Sequence, residues 1–280
     1  MLINLKAMLN YAEENSCAVG SFNVYNLESV QAVVSAAKAA QQPAIISFGE
    51  AYTKHAPLEA IAEIVKIYCT KSEIPFVLHL DHSKQFETIV KSIRAGFTSV
   101  MFDGSALPLA ENIARSTEIV KIAHAADVSV EGELGYMNNE DGSLEPGVCL
   151  EKGYTTVSSA EEYAAASGVD ALAIAIGNAH GIYKGIPTLD FERLAAIEKK
   201  VAIPLVLHGS SGIPAEALRR AIELGIRKIN INTEVSTQGI KTAREFLAQN
   251  TDANTRFETM AKAAENAMEA KIREYMELFK

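Results

Sequence analysis

Three of the six histidines in this 280-residue chain stand close behind short aliphatic runs. They are His82 in LHLDHS, His180 in AIAIGNAHG and His208 in PLVLHGS. Imidazole nitrogens suit zinc, and three protein ligands with one coordination position left open are typical of a catalytic zinc. A lone histidine at a strand end is more often a hydrogen-bonded structural residue, so a metal site is predicted only if all three converge.

Asp81 directly precedes His82, and neighbouring side chains on an extended chain point apart. Asp81 is therefore predicted to face a substrate rather than to share the metal, as a general acid–base would. The structural alternative is an aspartate that fixes a loop by accepting backbone hydrogen bonds.

Two segments have the composition of anion-binding turns. HGSSG (208–212) precedes a helix predicted from Pro214, and NINTE (230–234) opens another helix. Backbone N–H groups in such turns and at helix N-termini bind phosphate. Lys184, in GNAHGIYKG, would add a positive charge, with a solvated loop lysine as the alternative.

The elements that would position these residues alternate regularly between strand and helix patterns. The predicted strands are Ala18–Asn23, Ala44–Phe48, Phe76–Leu80, Ser99–Phe102, Val128–Glu133, Ala171–Ala175, Leu205–Leu207 and Lys228–Ile231. Helical periodicity follows at 27–40, 57–69, 110–126 and 214–225, and again at 234–248 and 257–280. Eight successive βα units close more naturally into a barrel than into an open sheet.

The sequence thus predicts an α/β protein, a single parallel (β/α)8 TIM barrel over residues 1–280 with an additional C-terminal helix. A doubly wound sheet is the alternative, but the first βα turn, FNVYNLE, lacks the G-x-G-x-x-G phosphate signature. In a barrel, strand ends share one rim, and the loops after strands seven and eight are a recurrent phosphate site. The polar residues at that rim are Asp81, His82, Asp103, Glu133, His180, His208, Asn230 and Asn232.

Composition narrows the range of partners and compartments. A formal charge of -9 without clustered Lys and Arg argues against nucleic acid and anionic membranes as partners. No apolar run approaches the ~20 residues of a membrane span, and the N-terminal sequence lacks a secretory apolar core, so a cytoplasmic protein is expected. Three widely spaced cysteines indicate neither a disulfide framework nor a thiolate zinc site.

At these residues the sequence resembles the class II fructose-bisphosphate and tagatose-bisphosphate aldolases over essentially its whole length. The matching segments are LHLDHS (78–83), FTSVMFDGS (97–105), VSVEGELG (128–135), ALAIAIGNAHGIYKGIPTLDF (171–191), PLVLHGSSGIP (204–214) and KININTE (228–234). The resemblance implies reversible retro-aldol cleavage of fructose or tagatose 1,6-bisphosphate to dihydroxyacetone phosphate and an aldehyde. Zinc would act as the Lewis acid that stabilises the carbanion next to the ketone.

The resemblance also implies roles for individual residues. His82, His180 and His208 would hold the catalytic Zn²⁺, Asp103 and Glu133 would mark a second metal position, and Asp81 would be the acid–base at the C4 hydroxyl. The dihydroxyacetone phosphate portion would contact Gly181, Gly209, Ser211, Asn230, Ile231, Asn232 and Thr233, with Ser210 in the same turn. The main chain of Gly181 and Gly209 would also bind a monovalent cation, Na⁺ or K⁺. A homodimer or homotetramer is expected.

The chain departs from the family pattern at three places, one of which is SALPLAEN (105–112), where a histidine common in the family after the DxS triplet is missing. In ELGYMNNEDG (133–142), Asn138 and Asn139 replace two glycines, and Asp141, preceded by Glu140, stands where the family has a proton-transferring Glu. Gly49 stands where the family tends to have Ser or Thr, which weakens the prediction of a second phosphate. The alternatives are an aldolase for another ketose phosphate, such as a deoxy-keto-gluconate phosphate, a metal-dependent sugar-phosphate isomerase or epimerase, and a binding relative without turnover.

Overall fold

The structure, a computed structural model, describes residues 1–135, 153–181, 183 and 185–280. Eight parallel strands form a closed barrel in chain order, and β1 pairs with β8 to complete it. The strands are β1 (Val19–Asn23), β2 (Ala44–Gly49), β3 (Phe76–Ser83), β4 (Ser99–Phe102), β5 (Ser129–Leu134), β6 (Ala171–Ile174), β7 (Leu205–Leu207) and β8 (Ile226–Ile231). The predicted TIM barrel is confirmed.

Helices follow the strands and surround the barrel. They are α1 (Leu5–Glu14), α2 (Leu27–Ala40), α3 (Leu58–Cys69), α4 (Phe86–Ala95), α5 (Leu109–Ala125), α6 (Val157–Ser167), α7 (Phe191–Glu198), α8 (Ala215–Glu223), α9 (Thr233–Gln249) and α10 (Phe257–Leu278). The C-terminal helix α10, which packs on α2 and α9, is confirmed. Within the described ranges, no helix has both the length and the apolarity that a bilayer crossing requires.

Helix α1 was not predicted from the sequence, and it closes the N-terminal end of the barrel. Its apolar face, made of Leu5, Met8, Leu9 and Ala12, is fully buried. That face packs in one cluster with strand side chains, namely Val19, Ile45, Val77, Ala171, Ala173 and Val206. Asn4 caps the helix by accepting a hydrogen bond from the backbone of Ala7. We refer to this end as the apolar floor.

Above the apolar floor the interior becomes polar. Three pairs of fully buried side chains lie at this level, and we call them the middle layer. The hydroxyls of Ser21 and Ser47 are 2.6 Å apart, His79 Nδ1 is 2.8 Å from Ser99 Oγ, and Lys228 Nζ is 3.0 Å from Glu131 Oε2. Bulky branched apolar residues are the usual filling of such barrels, so this layer must serve something other than packing.

Candidate active site

A cleft with about 290 Å³ of empty volume opens at the carboxyl ends of the strands. Its lining residues are Asn23, Asp81, His82, His180, Gly181, Gly209, Ser210, Ser211, Asn230, Asn232 and Thr233. All of them except Asn23 are residues predicted from the sequence, either for the rim or, through the family resemblance, for binding the phosphate portion. The barrel topology explains this, because parallel strands all present their carboxyl ends at one face.

The three rim histidines meet in this cleft. The ring centroid of His82 lies 4.8 Å from that of His180 and 4.7 Å from that of His208. His208 Nδ1 is 2.9 Å from His82 Nε2, and one ring nitrogen from each histidine fits within a 4.8 Å cluster. Three imidazole nitrogens grouped in this way can hold one divalent ion and leave a coordination position open.

A second group of possible ligands adjoins the first and shares His82. His82 Nδ1 lies 3.7 Å from Asp103 Oδ2 and 3.5 Å from Glu133 Oε2. In the part of the chain that the structure describes, these three buried atoms form no hydrogen bond. Buried polar atoms normally find a partner, so the donor set fits a bound cation.

The surrounding charges also favour a cation at His82. Burial opposes protonation of His82, but the attraction of Asp81, and then of Asp103 and Glu133, outweighs it and raises the pKa of His82 to about 10. Burial and the neighbouring Asp103 raise the pKa of the Glu133 carboxyl well above its ordinary value. Too many carboxylates for the available positive charge therefore meet here, and a metal ion would relieve that excess.

His82 reaches the cleft through an unusual backbone conformation. Strand β3 continues to Ser83 instead of ending at Leu80, and its register with β4 shifts between these residues. His82 has φ +47°, a left-handed conformation that non-glycine residues seldom adopt. The sequence argument that Asp81 and His82 point apart assumed a regular strand, whereas this irregularity lets both side chains line the cleft.

Asp81 lies beside the histidines and is almost fully buried. Asn23 Nδ2 donates to its Oδ2 at 3.0 Å, and Asn230 Nδ2 donates to its Oδ1 at 3.2 Å. Burial opposes ionisation, but His82, His208 and Lys228 together hold the pKa of Asp81 below its ordinary range. The side chain is thus a fixed carboxylate able to accept a proton. Asn23 was missed from the sequence, although it ends β1 on the same rim.

The loops after β6 and β7 approach each other closely where the sequence predicts an anion-binding region. Gly209 has φ +58°, and a Cβ there would lie 2.1 Å from the carbonyl oxygen of Ala179. Tyr183 ties the loops together, because its hydroxyl accepts from Ala179 N and donates to the Gly209 carbonyl, both at 2.7 Å. Only glycine fits at position 209, so the glycine of the HGSSG turn is explained by packing.

The N-terminus of α9 forms the other wall of the anion-binding region. Asn232 and Thr233 line the cleft, and the side chain of the N-cap residue Asn232 makes no capping hydrogen bond to this helix. Ser211 Oγ accepts from the backbone of Glu234 at 3.4 Å, which places the two predicted turns side by side. Uncapped amides at a helix start attract phosphate. Ile231 is the last residue of β8 and is buried in the core.

A buried ion pair beneath the histidines was also missed from the sequence. Glu131 Oε1 is 2.7 Å from His208 Nε2, and Lys228 contacts both Glu131 and Asn230. Strand periodicity was the available signal, since Glu131 and Glu133 share one face of β5, as Lys228 and Asn230 do on β8.

Three predicted site residues lie outside the described residues. These are Glu140 and Asp141, expected to transfer a proton, and Lys184, expected to bind phosphate. Gly49, in contrast, is described. It ends β2, and a Cβ at this position would lie 3.2 Å from two ring carbons of Tyr52.

The barrel places a histidine cluster that could hold a divalent ion beside two turns predicted to bind an anion. A family model described as fructose-bisphosphate aldolase class-II matches residues 3–280. The chain belongs to this class II fructose-bisphosphate aldolase family, and it is an aldolase, a carbon–carbon lyase.

Solved structures agree with this assignment. The YdjI aldolase from Escherichia coli K12 is 33% identical with a TM-score of 0.88, over 100% of this chain and 97% of that one. A putative fructose-1,6-biphosphate aldolase from Coccidioides immitis is 30% identical with a TM-score of 0.86, over 99% and 96% of the two chains. Fructose-bisphosphate aldolase from Campylobacter jejuni, 23% identical, shares the fold with a TM-score of 0.84, over 99% and 95% of the two chains.

Proposed function

We propose that this protein is a zinc-dependent aldolase that splits a ketose phosphate into dihydroxyacetone phosphate and an aldehyde. Fructose 1,6-bisphosphate and tagatose 1,6-bisphosphate are the first candidate substrates. The observation that carries the proposal is the grouping of three histidine nitrogens within 4.8 Å, beside a buried carboxylate and two anion-binding turns.

His82, His180 and His208 would hold the zinc ion. When bound, zinc supplies Lewis-acid stabilisation of the negative charge that develops on the substrate. Asp103 and Glu133 would form a second cation position with His82, because Asp103 Oδ2 and Glu133 Oε2 are buried near His82 Nδ1 without a hydrogen bond in the described part of the chain. The monovalent cation expected at Gly181 and Gly209 rests on the family resemblance alone.

Asp81 would move the proton of the C4 hydroxyl. In cleavage, its carboxylate accepts this proton while the C4 oxygen becomes the aldehyde carbonyl, and the C3–C4 bond pair remains with C3. C3 must then receive a proton to release dihydroxyacetone phosphate, and Glu140 or Asp141 would supply it. Asn23 and Asn230 orient the Asp81 carboxylate by each donating a hydrogen bond to one of its oxygens.

The C1 phosphate would bind between the two turns. Gly209, Ser210, Ser211, Asn232 and Thr233 line one region of the cleft, and backbone amides of these segments, with the Ser211 hydroxyl, would donate to the phosphate. Lys184 would add a charge from the loop after β6. The far end of the substrate would lie toward Gly49, a residue that lacks the side-chain hydroxyl of the family's Ser or Thr, so monophosphorylated ketoses belong among the candidates.

A coupled assay for dihydroxyacetone phosphate tests the proposal. Ketose mono- and bisphosphates, including a deoxy-keto-gluconate phosphate, are supplied to zinc-loaded protein and to protein stripped with a chelator. We expect release from at least one ketose phosphate, loss on stripping and recovery with Zn²⁺. Full activity after verified metal removal would contradict the zinc mechanism.

NMR of the same reaction mixtures separates cleavage from isomerisation. An aldolase yields two fragments, whereas an isomerase or epimerase conserves the carbon number. A product of unchanged carbon number, with no dihydroxyacetone phosphate, would replace the aldolase proposal. Tight ligand binding without any turnover would instead indicate a binding relative.

The proton donor to C3 can be identified by two matched substitutions. We expect Asp141→Ala to slow release of dihydroxyacetone phosphate more than Glu140→Ala, because Asp141 occupies the position of the family's glutamate. Equal, wild-type rates for both variants would exclude this segment from proton transfer.

A further inference from the structure

We propose that the buried Lys228–Glu131 ion pair is a positioning device that orients both the zinc ligand His208 and the acid–base Asp81. The inference rests on the proposed function for the roles of these two residues. It assigns a task to the charged part of the middle layer, which packing does not explain.

Glu131 selects which nitrogen of His208 faces the metal site. Glu131 Oε1 lies 2.7 Å from His208 Nε2, and a carboxylate can only accept, so Nε2 carries the hydrogen. Nδ1 then keeps its lone pair, and this is the nitrogen that lies 2.9 Å from His82 Nε2. A carboxylate behind a metal-binding histidine fixes the ring tautomer and makes the ring a better ligand.

Lys228 selects the orientation of the Asn230 amide. Its ammonium group can donate hydrogen bonds but cannot accept them. It lies 3.0 Å from Glu131 Oε2 and 2.6 Å from Asn230 Oδ1. With its oxygen held by Lys228, the Asn230 amide must turn its NH₂ group to Asp81 Oδ1, 3.2 Å away. Without the lysine, the Asn230 oxygen would lose this donor, and the amide would be held less firmly in the orientation that donates to Asp81.

Stability alone does not account for this pair. Glu131 and Lys228 are fully buried on strands β5 and β8, which are not neighbours in the barrel. Desolvation of two charges can exceed the attraction between them, so a buried ion pair is poor evidence of a stabilising role. The Ser21–Ser47 pair occupies the same layer without charge, and its hydrogen bond is made within the layer.

The test uses metal-stripped full-length protein and five variants. Glu131→Leu removes charge and acceptor, Glu131→Gln keeps an acceptor oxygen, and Lys228→Met removes the ammonium. The double variant Glu131→Leu/Lys228→Met leaves no unpaired buried charge, so it should fold even if a single variant does not. Ser21→Ala/Ser47→Ala is the matched control, since it removes both partners of an equally buried contact.

Two measurements do not depend on turnover. The zinc dissociation constant comes from competition with a chromogenic chelator, and the His208 tautomer comes from ¹⁵N–¹H spectra of histidine-labelled protein. We expect Glu131→Leu and the double variant to bind zinc roughly 10- to 100-fold more weakly. Glu131→Gln should lose less affinity, because its amide oxygen can still accept from Nε2. The control should match the wild type in both measurements.

The Lys228 half of the proposal is tested by turnover. Lys228→Met should lower kcat of zinc-saturated protein with little change in KM. The Asp81 carboxylate would be less firmly oriented, while the residues proposed to bind the phosphate are unchanged. Wild-type zinc affinity and an unchanged His208 tautomer in the double variant would overturn the proposal. If the wild type cleaves no ketose phosphate while Glu131→Leu still weakens zinc binding, the proposed function fails and the inference about His208 stands.

Discussion

The two ends of the barrel interior are built from the same eight strands but carry opposite chemistry. At the amino end, Val19, Ile45, Val77 and Val206 pack against the buried face of α1. At the carboxyl end, the inward positions hold carboxylates, amides and imidazoles. Only a few residues along each strand separate the two environments.

The amino end of the barrel contributes stability, whereas the carboxyl end carries the candidate active site. Burial of a large aliphatic side chain contributes about 1.5–3 kcal/mol, so the apolar floor stabilises the fold. Each buried ion costs several kcal/mol unless it is compensated, so the carboxyl end destabilises it. The floor therefore offsets the cost of the site, and substitutions at the two ends should affect different properties.

The largest effect is expected from His180→Ala. Removing one of three histidine ligands should abolish zinc retention and lower kcat/KM for the ketose phosphate on the order of 10⁵-fold, equivalent to about 7 kcal/mol of lost Lewis-acid stabilisation. Zinc content and the coupled assay measure this. His124→Ala is the control, since His124 lies on α5 and forms a hydrogen bond with Asp170 instead of lining the cleft. Normal zinc content and activity in His180→Ala would contradict the site.

A loss of roughly 10²- to 10⁴-fold in kcat is expected from Asp81→Asn, as is typical when a general base is removed. Zinc content should stay at the wild-type level, which distinguishes this variant from His180→Ala. The control Asp127→Asn changes an aspartate that accepts from Asn4 near the apolar floor. An Asp81→Asn variant with full kcat would assign Asp81 a merely structural part.

The apolar floor should show the reverse behaviour. We expect Leu9→Ala to lower the free energy of unfolding by about 2–5 kcal/mol, because Leu9 is fully buried and the removed side-chain atoms leave a cavity. Denaturant unfolding measures the loss. kcat of the protein that remains folded should be unchanged, and a comparable fall in kcat would show that the two ends are not independent.

The smallest effect is expected from Tyr183→Phe. Burial raises the pKa of Tyr183 to about 12, so the phenol stays protonated at neutral pH and donates to Gly209. Its removal costs two hydrogen bonds, about 1–3 kcal/mol, and should raise KM roughly tenfold with little change in kcat. Tyr11→Phe, at a largely exposed tyrosine of α1, is the control. An unchanged KM would show that Tyr183 does not hold the anion-binding loops.

Much of the fold and of the rim was predictable because strand periodicity and chain order are local signals. Once eight strands are recognised, barrel closure brings the ends of β3, β6 and β7 together, and His82, His180 and His208 follow. Helix α1 precedes β1, so the alternation of strands and following helices that indicates the barrel does not predict it. Its packing under the strands could not be inferred from the short segment itself.

Strand periodicity indicates that Glu131 and Lys228 face the interior, but their pairing beneath the site could not be predicted, for a different reason. Buried lysines are rare, so a lysine in a strand is ordinarily taken to face solvent. Lys228 is buried because Glu131, nearly a hundred residues earlier in the chain, meets it across the barrel. The conformation of His82 depends likewise on a shift in register between two strands. Both features are properties of the closed barrel rather than of any local segment.

The central claim is that His82, His180 and His208 hold one divalent metal ion. The most direct measurement is an anomalous-scattering map at the zinc absorption edge from crystals of zinc-loaded protein. The account predicts a peak bonded to one nitrogen of each histidine at about 2.0–2.1 Å. Zinc bound elsewhere in the protein, with these three side chains free of metal, would contradict it.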